Sequence, residues 1–210
     1  MLLIGNGRLV TRDQGTYIEN GAVAIEGNLI AEVGETAALQ AKYPDAEWVD
    51  AAGGVIMPGL VNTHNHIYSA FARGLSINNY NPHNFNDILE GMWWKIDRLL
   101  TKENDSLSAQ AVYIDSIKNG VTTVFDHHAS YYDIPGSLDT IADAAKQLGV
   151  RTGLCYEVSD RDGKAKMTEA VLENERMILR AHADASDMLR GMVGLHAAFT
   201  LSDETLALCK

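Results

Sequence analysis

From Val55 onward the chain alternates short apolar, β-branched runs with amphipathic stretches. That alternation constrains its fold more than any other feature. The runs are VIMPGLVNTH, GVTTVFDHHAS, RTGLCYEVSD and GMVGLHAAFT. None alternates cleanly between apolar and polar residues, as expected of strands covered on both faces. Between them, LSAQAVYIDSIKNG places Leu107, Ala111, Ile114 and Ile117 on one stripe and closes on Gly120. SLDTIADAAKQLG repeats the design with Leu138, Ile141, Ala145 and Leu148 before Gly149. MTEAVLENERMILRAHAD carries Met167, Val171 and Ile178, and SDETLALCK opens a last helix with Ser202 as its N-cap. Strands alternating with helices imply parallel βα units. About four such units follow Val55, against the eight of a closed barrel. The expected fold is therefore α/β: a partial TIM-type (β/α) barrel over 56–210, behind a small β-sandwich module over 1–55.

The first 55 residues read as strands around turn residues. LLIGNGRLVT suggests a hairpin about Gly5-Asn6-Gly7, and GAVAIEGNLIAEVG another about Glu26-Gly27-Asn28. TAALQAKYP reads as a short helix and EWVDA as a further strand.

Catalytic groups of a (β/α)8 barrel sit at the C-terminal ends of its strands. Each barrel run here ends in such groups: His64 and His66; Asp126, His127 and His128; Glu157 and Asp160; His196. His64 and His66 are two residues apart, so on a strand they share a face and can reach one metal ion. Imidazole suits zinc, iron, nickel or manganese alike. His127 and His128 are adjacent and face opposite ways, so at most one points into the barrel mouth. They are assigned to a network packing near the metal histidines. Glu157 and Asp160 are assigned helix-capping or surface roles.

A long insertion, SINNYNPHNFNDILEGMWWKIDRLLT, separates the first strand from its helix. Long loops on this face act as lids. The stretch from Ser76 to Asn86 is read as a lid, with His83 as a substrate contact. The helix from about Asp87, with Met92, Trp93, Ile96 and Leu99 as its buried face, is read as structural. Arg73 is expected to hold loop structure.

Composition removes other classes. A net charge of -11 disfavours nucleic acid and anionic membranes as partners. Two cysteines are too few for a disulfide framework. The N-terminus MLLIGNGRLV lacks the basic start of a signal peptide, and no apolar run reaches the ~20 residues of a membrane span. A cytoplasmic protein is expected.

PGLVNTHNHIYSAFARGL resembles the signature of the amidohydrolase superfamily, in its deaminase and chlorohydrolase branch. GVTTVFDHHA resembles that family's second strand, and GLHAAFTLSDETL its fourth. The likeness covers almost the whole chain and is particularly close to the aminohydrolase subgroup called SsnA. It implies metal-dependent hydrolysis at a carbon–nitrogen bond of a planar nitrogen heterocycle. It maps His64 and His66 onto metal ligands, with zinc first and iron as the alternative, and His196 onto a substrate contact. The family's third metal His, its proton-shuttle Glu, a further His and an Asp ligand come from strands five to eight, which have no counterpart here. The resemblance is to an N-terminal half, with the catalytic set incomplete and either a homo-oligomer or a missing C-terminal half expected. Two alternatives stand beside it. One is a dihydropyrimidinase-like or dipeptidase-like hydrolase, of a kind that often needs a carbamylated Lys on strand four, where GMVGLHAAFT has none. The other is a non-catalytic half-barrel that pairs with a second chain.

Overall fold

A computed structural model describes residues 1–11, 13 and 17–210. They form two compact units, Met1–Gly59 and Leu60–Lys210.

The first unit contains β1 (Leu2–Val10), β2 (Tyr17–Glu26), β3 (Leu29–Glu35), α1 (Thr36–Lys42), β4 (Glu47–Asp50) and β5 (Val55–Ile56). One mixed sheet runs β3-β2-β1-β4, with β5 also pairing β1. The β2–β3 hairpin turns at Gly27-Asn28, as the sequence suggests. The first expected hairpin does not form. Leu2–Val10 is a single strand that bulges at Gly5-Asn6-Gly7, where Asn6 takes the left-handed φ of 57°. Gly5 is there for close approach: a Cβ would lie 2.7 Å from the Trp48 ring. Leu3, Ala22, Ala24 and Leu39 make the small core. Val55 and Ile56 pair with Arg8 and Leu9 in this sheet. The run read as the first barrel strand is thus divided at Met57-Pro58-Gly59, where proline has no N–H to continue a ladder.

The second unit carries β6 (Leu60–Asn65), a 3₁₀ turn over Ile67–Ala72, α2 (Phe85–Ile88), a π-turn over Leu89–Trp93, α3 (Trp94–Ile96) and α4 (Lys102–Lys118). Then come β7 (Val121–His128), α5 (Ser137–Leu148), β8 (Arg151–Val158), α6 (Gly163–Ala183), β9 (Leu189–Gly191), β10 (Gly194–Leu195) and α7 (Asp203–Leu208). The strands are parallel and ordered β6-β7-β8-β10, with β9 beside β8. This is the expected partial barrel. It does not close: among the described residues β6 and β10 are edges.

Val124, Leu154, Leu138, Ile141 and Met177 are fully buried between sheet and helices. Thr152 to Val158 are all buried, as a central strand requires. β7 instead alternates, with Val124, Asp126 and His128 buried and Phe125 and His127 on the other face less so. The stripe expected to bury α4 faces outward: Leu107, Ile114 and Ile117 are 51%, 45% and 47% exposed. Its inner face is Asp105, Ser108, Ala109, Tyr113 and Ser116. Hydroxyls and a carboxylate occupy that interior, with Tyr113 Oη 2.8 Å from Thr152 Oγ1.

α6 also buries polar groups, and they tie elements together. Glu173 accepts from the N–H groups of Gly136 and Leu138, capping α5. Asn174 accepts from Tyr156 N and Gly194 N, joining β8 to β10. Ser202 caps α7 by accepting from Thr205 N.

Candidate metal and substrate cleft

β6 delivers His64 and His66 to the C-terminal edge of the parallel sheet. Their Nε2 atoms lie 3.0 Å apart. Two ligands of one zinc at Zn–N of about 2.0–2.1 Å, with an angle of roughly 90–110°, would be about 2.9–3.4 Å apart, so the spacing fits. His66 Nδ1 is 2.9 Å from the carbonyl oxygen of His127. A carbonyl only accepts, so Nδ1 carries the proton and Nε2 keeps its lone pair. Burial, first among several causes, holds His66 below the ordinary imidazole range and so favours this neutral form. The donor set is suited to a divalent metal but supplies two nitrogens: among the described residues no group of three His, Cys, Asp or Glu side chains gathers to hold an ion.

The two histidines open onto a cleft of about 570 Å³ that also reaches His127, Glu157 and His196. His127 points to this cleft. His128 points the other way, fully buried, with Nε2 2.8 Å from Ser130 Oγ. His196 follows β10, and its Nδ1 lies 2.8 Å from Thr200 Oγ1. The structure therefore brings His64, His66 and His196 to one cavity. It leaves His83 outside: that side chain is exposed, and its backbone N–H closes a turn onto Asp87 Oδ2. Arg73 pairs with Asp115 at the surface.

The assignment of Glu157 to a cap or surface charge is overturned. Its side chain is 6% exposed, and Oε2 stands 3.8 Å from Nε2 of both His127 and His196. Behind it lies Arg161, whose fork takes Asp97 at 2.5 and 3.3 Å and reaches Glu157 at 3.1 Å. The guanidinium also sits 3.8 Å over the Tyr131 ring. Burial pushes the Glu157 carboxyl up, but His127, Arg161 and His196 outweigh it and hold it below the usual range. Burial lowers His127, while Cys155 and Glu157 outweigh burial and raise it to about 10. Arg161 is shared, and burial lifts Asp97 to about 6. The sequence carried one faint sign of this cluster, the i,i+4 spacing of Glu157 and Arg161. Asp160 does act as a cap, accepting from Ser202 N and Thr205 Oγ1.

The aromatic wall of the cleft is Phe85, Trp93 and Trp94, with Leu89. Only Phe85 belongs to the stretch read as a lid. The other three come from the helix read as purely structural, and Leu99, assigned to its buried face, is 75% exposed. The π-turn over Leu89–Trp93 changes the rotation per residue, which is why a 3.6-residue reading misplaces this face. The Trp94 Nε1–H is buried without a hydrogen-bond partner among the described residues.

No helix among the described residues is long and apolar enough to cross a membrane.

Residues 55–210 match the family described as "Amidohydrolase family", and residues 21–46 match an imidazolonepropionase-like composite domain of bacteria. A 5'-deoxyadenosine deaminase of Methanosarcina barkeri is 29% identical over 98% of this chain and 44% of its own length. A variant of atrazine chlorohydrolase from Arthrobacter aurescens, solved with zinc and atraton, superposes with a TM-score of 0.80. It is 23% identical over 99% of this chain and 49% of that one. Guanine deaminase of E. coli gives 0.77 at 21% identity, over 100% of this chain and 50% of that one. The chain spans about half the length of the curated relatives it matches.

Proposed function

The chain belongs to the amidohydrolase family, and from that premise we propose that it supplies the first two metal ligands and part of the substrate cleft of a cytoplasmic hydrolase acting on a carbon–nitrogen bond of a nitrogen heterocycle. The observation that carries the reading is the pair of imidazoles: Nε2 atoms 3.0 Å apart, one proton-locked by a backbone carbonyl, at the mouth of an aromatic-walled cavity.

His64 and His66 would hold the metal, with zinc the favoured ion. A bound divalent metal lowers the pKa of a water ligand and so supplies hydroxide near neutral pH. This chain's own side chains supply part of the substrate contact. His196 contacts a ring nitrogen or exocyclic group. Phe85, Trp93 and Trp94 offer flat surface to a planar ring. Glu157, kept ionised by Arg161 and two imidazoles, accepts from a substrate N–H or O–H. Adenosine- and guanine-like rings are the substrate class, in keeping with the named relatives. His83 takes no part in this arrangement.

Two histidines fall one short of the three protein ligands usual in catalytic zinc sites. Metal binding by this chain alone is therefore weak, and turnover needs groups from a complementary half. Elemental analysis of the chain after zinc loading tests the reading, beside an ammonia-release assay on adenosine and guanine. Zinc uptake without ammonia release is expected. No zinc uptake at all overturns it.

A further inference from the structure

Strand β7 grips the two residues that follow β6, one bond to each. Asp126 Oδ1 accepts the backbone N–H of Ile67 at 2.6 Å. One residue on, the His127 carbonyl accepts the Nδ1–H of His66 at 2.9 Å. The two bonds bracket His66: one fixes the backbone just after it, the other fixes its ring. Asp126 is in register with Asn65. Asn65 Oδ1 in turn accepts from His66 N at 2.9 Å.

We propose that Asp126 is a positioning residue, whose buried carboxylate holds the turn at Ile67 so that His66 meets the His127 carbonyl and offers Nε2 to the metal.

Four observations support it. Ile67 leaves β6 into a 3₁₀ turn, where the strand ladder no longer supplies acceptors. Its N–H is buried, and leaving a buried amide unpaired is costly, so the acceptor is required. Asp126 is 1% exposed, on the face of β7 that turns away from the cleft, so it cannot itself be a ligand on the His127 side. No other donor competes for the bond: its second oxygen, Oδ2, has no hydrogen-bond partner among the described residues. The shape of the site follows. A ring free to take the other tautomer would put its proton on Nε2, where the lone pair is needed. Partners that orient a metal-binding His typically change metal affinity about 10–100-fold when removed.

The inference rests on the metal reading of His66, and its test separates the two. Uniformly ¹⁵N-labelled chain is prepared as wild type, Asp126→Asn, Asp126→Ala and Val124→Ala. Val124 is a fully buried neighbour on the same strand and serves as a stability control. Histidine tautomers are read without metal by long-range ¹H–¹⁵N correlation, and zinc affinity by competition with a chelating dye. Wild type and Asp126→Asn, which keeps an acceptor oxygen, should show His66 with its proton on Nδ1 and similar zinc affinity. Asp126→Ala should mix the tautomers and lose about 10–100-fold in affinity, more than Val124→Ala at equal loss of stability. Unchanged tautomer and affinity in Asp126→Ala overturns the proposal, as does an equal loss in Val124→Ala or in Asp126→Asn. If Asp126→Ala does not fold, the wild-type Ile67 amide decides: a downfield, exchange-protected proton supports the bond, and a solvent-like one overturns it. If the wild type takes up no zinc, the metal reading fails, while the tautomer comparison still judges Asp126.

Discussion

Glu157 Oε2 stands 3.8 Å from His196 Nε2, and the same oxygen is 3.8 Å from His127 Nε2. Both gaps exceed a hydrogen bond and suit a bridging polar group. Since Glu157 lines the cleft and Arg161 backs it, this carboxylate is at once a structural partner of a buried cation and a polar group offered to whatever enters.

Replacing Glu157 therefore has a stability cost. Removing one partner of a buried ion pair typically costs about 3–5 kcal/mol. Arg161 would keep Asp97, so Glu157→Gln is expected near the lower end of that range. Urea unfolding of the chain at neutral pH measures it. A variant as stable as wild type would show that Asp97 alone satisfies Arg161.

Asp97 predicts a pH dependence. Burial lifts its carboxyl from 3.8 to about 6 in the folded chain, against the pull of Arg161. Between those values the folded state binds more protons than the unfolded one, so stability falls as pH rises through the window from about 4 to about 6. At 1.36 kcal/mol per unit the contribution is at most roughly 3 kcal/mol. Unfolding free energies measured from pH 4 to 7 should slope downward, and more gently in Asp97→Asn. An identical slope in the variant excludes Asp97 as the source.

The backbone plan was more legible in the sequence than the cleft. The βα alternation after Leu60, the caps at Gly149 and Ser202, and the buried stripe of α5 follow from local patterns that packing does not contradict. Three features did not follow. Gly5-Asn6-Gly7 looks like a turn, but the Trp48 ring needs the space that glycine leaves, and the strand bulges instead of reversing. α4 buries its polar side, where Tyr113 bonds Thr152 and Asp105 stands 3.4 Å from His128 Nε2, and apolar periodicity does not register such contacts. The cleft wall of Trp93 and Trp94 depends on a π-turn, which has no distinct sequence mark. His64-x-His66 was legible because strand alternation alone puts both rings on one side. Glu157 was not, because the two imidazoles it faces, His127 and His196, come from separate segments.

Metal and substrate roles should separate by mutation. His64→Ala with His66→Ala is expected to abolish zinc uptake. His196→Asn should leave zinc affinity unchanged, since its ring reaches Thr200 and Glu157 rather than the two ligand nitrogens. Chelator competition on all three proteins checks both statements. Retained zinc in the double variant would remove His64 and His66 as ligands. Lost zinc in His196→Asn would make His196 a ligand and not a substrate contact.

The open sheet predicts association. β6 and β10 each lack a neighbour on one side among the described residues. An unpaired edge is a template for another strand. Apolar side chains accompany both edges: Leu60 and Val61 are 50% and 51% exposed on β6, and Leu195 is 40% exposed on β10. Exposed apolar surface beside an unpaired ladder favours burial against a second chain. The chain should therefore elute above monomer mass in size-exclusion chromatography with light scattering, with the oligomer fraction rising with concentration. Charged residues on an edge suppress such pairing, so Val61→Lys combined with Leu195→Lys should return it toward monomer. Leu195 also lines the cleft, so zinc uptake is compared in Val61→Lys alone, where it should match wild type. A wild-type chain that stays monomeric at all concentrations would mean that the edges are protected without a partner strand.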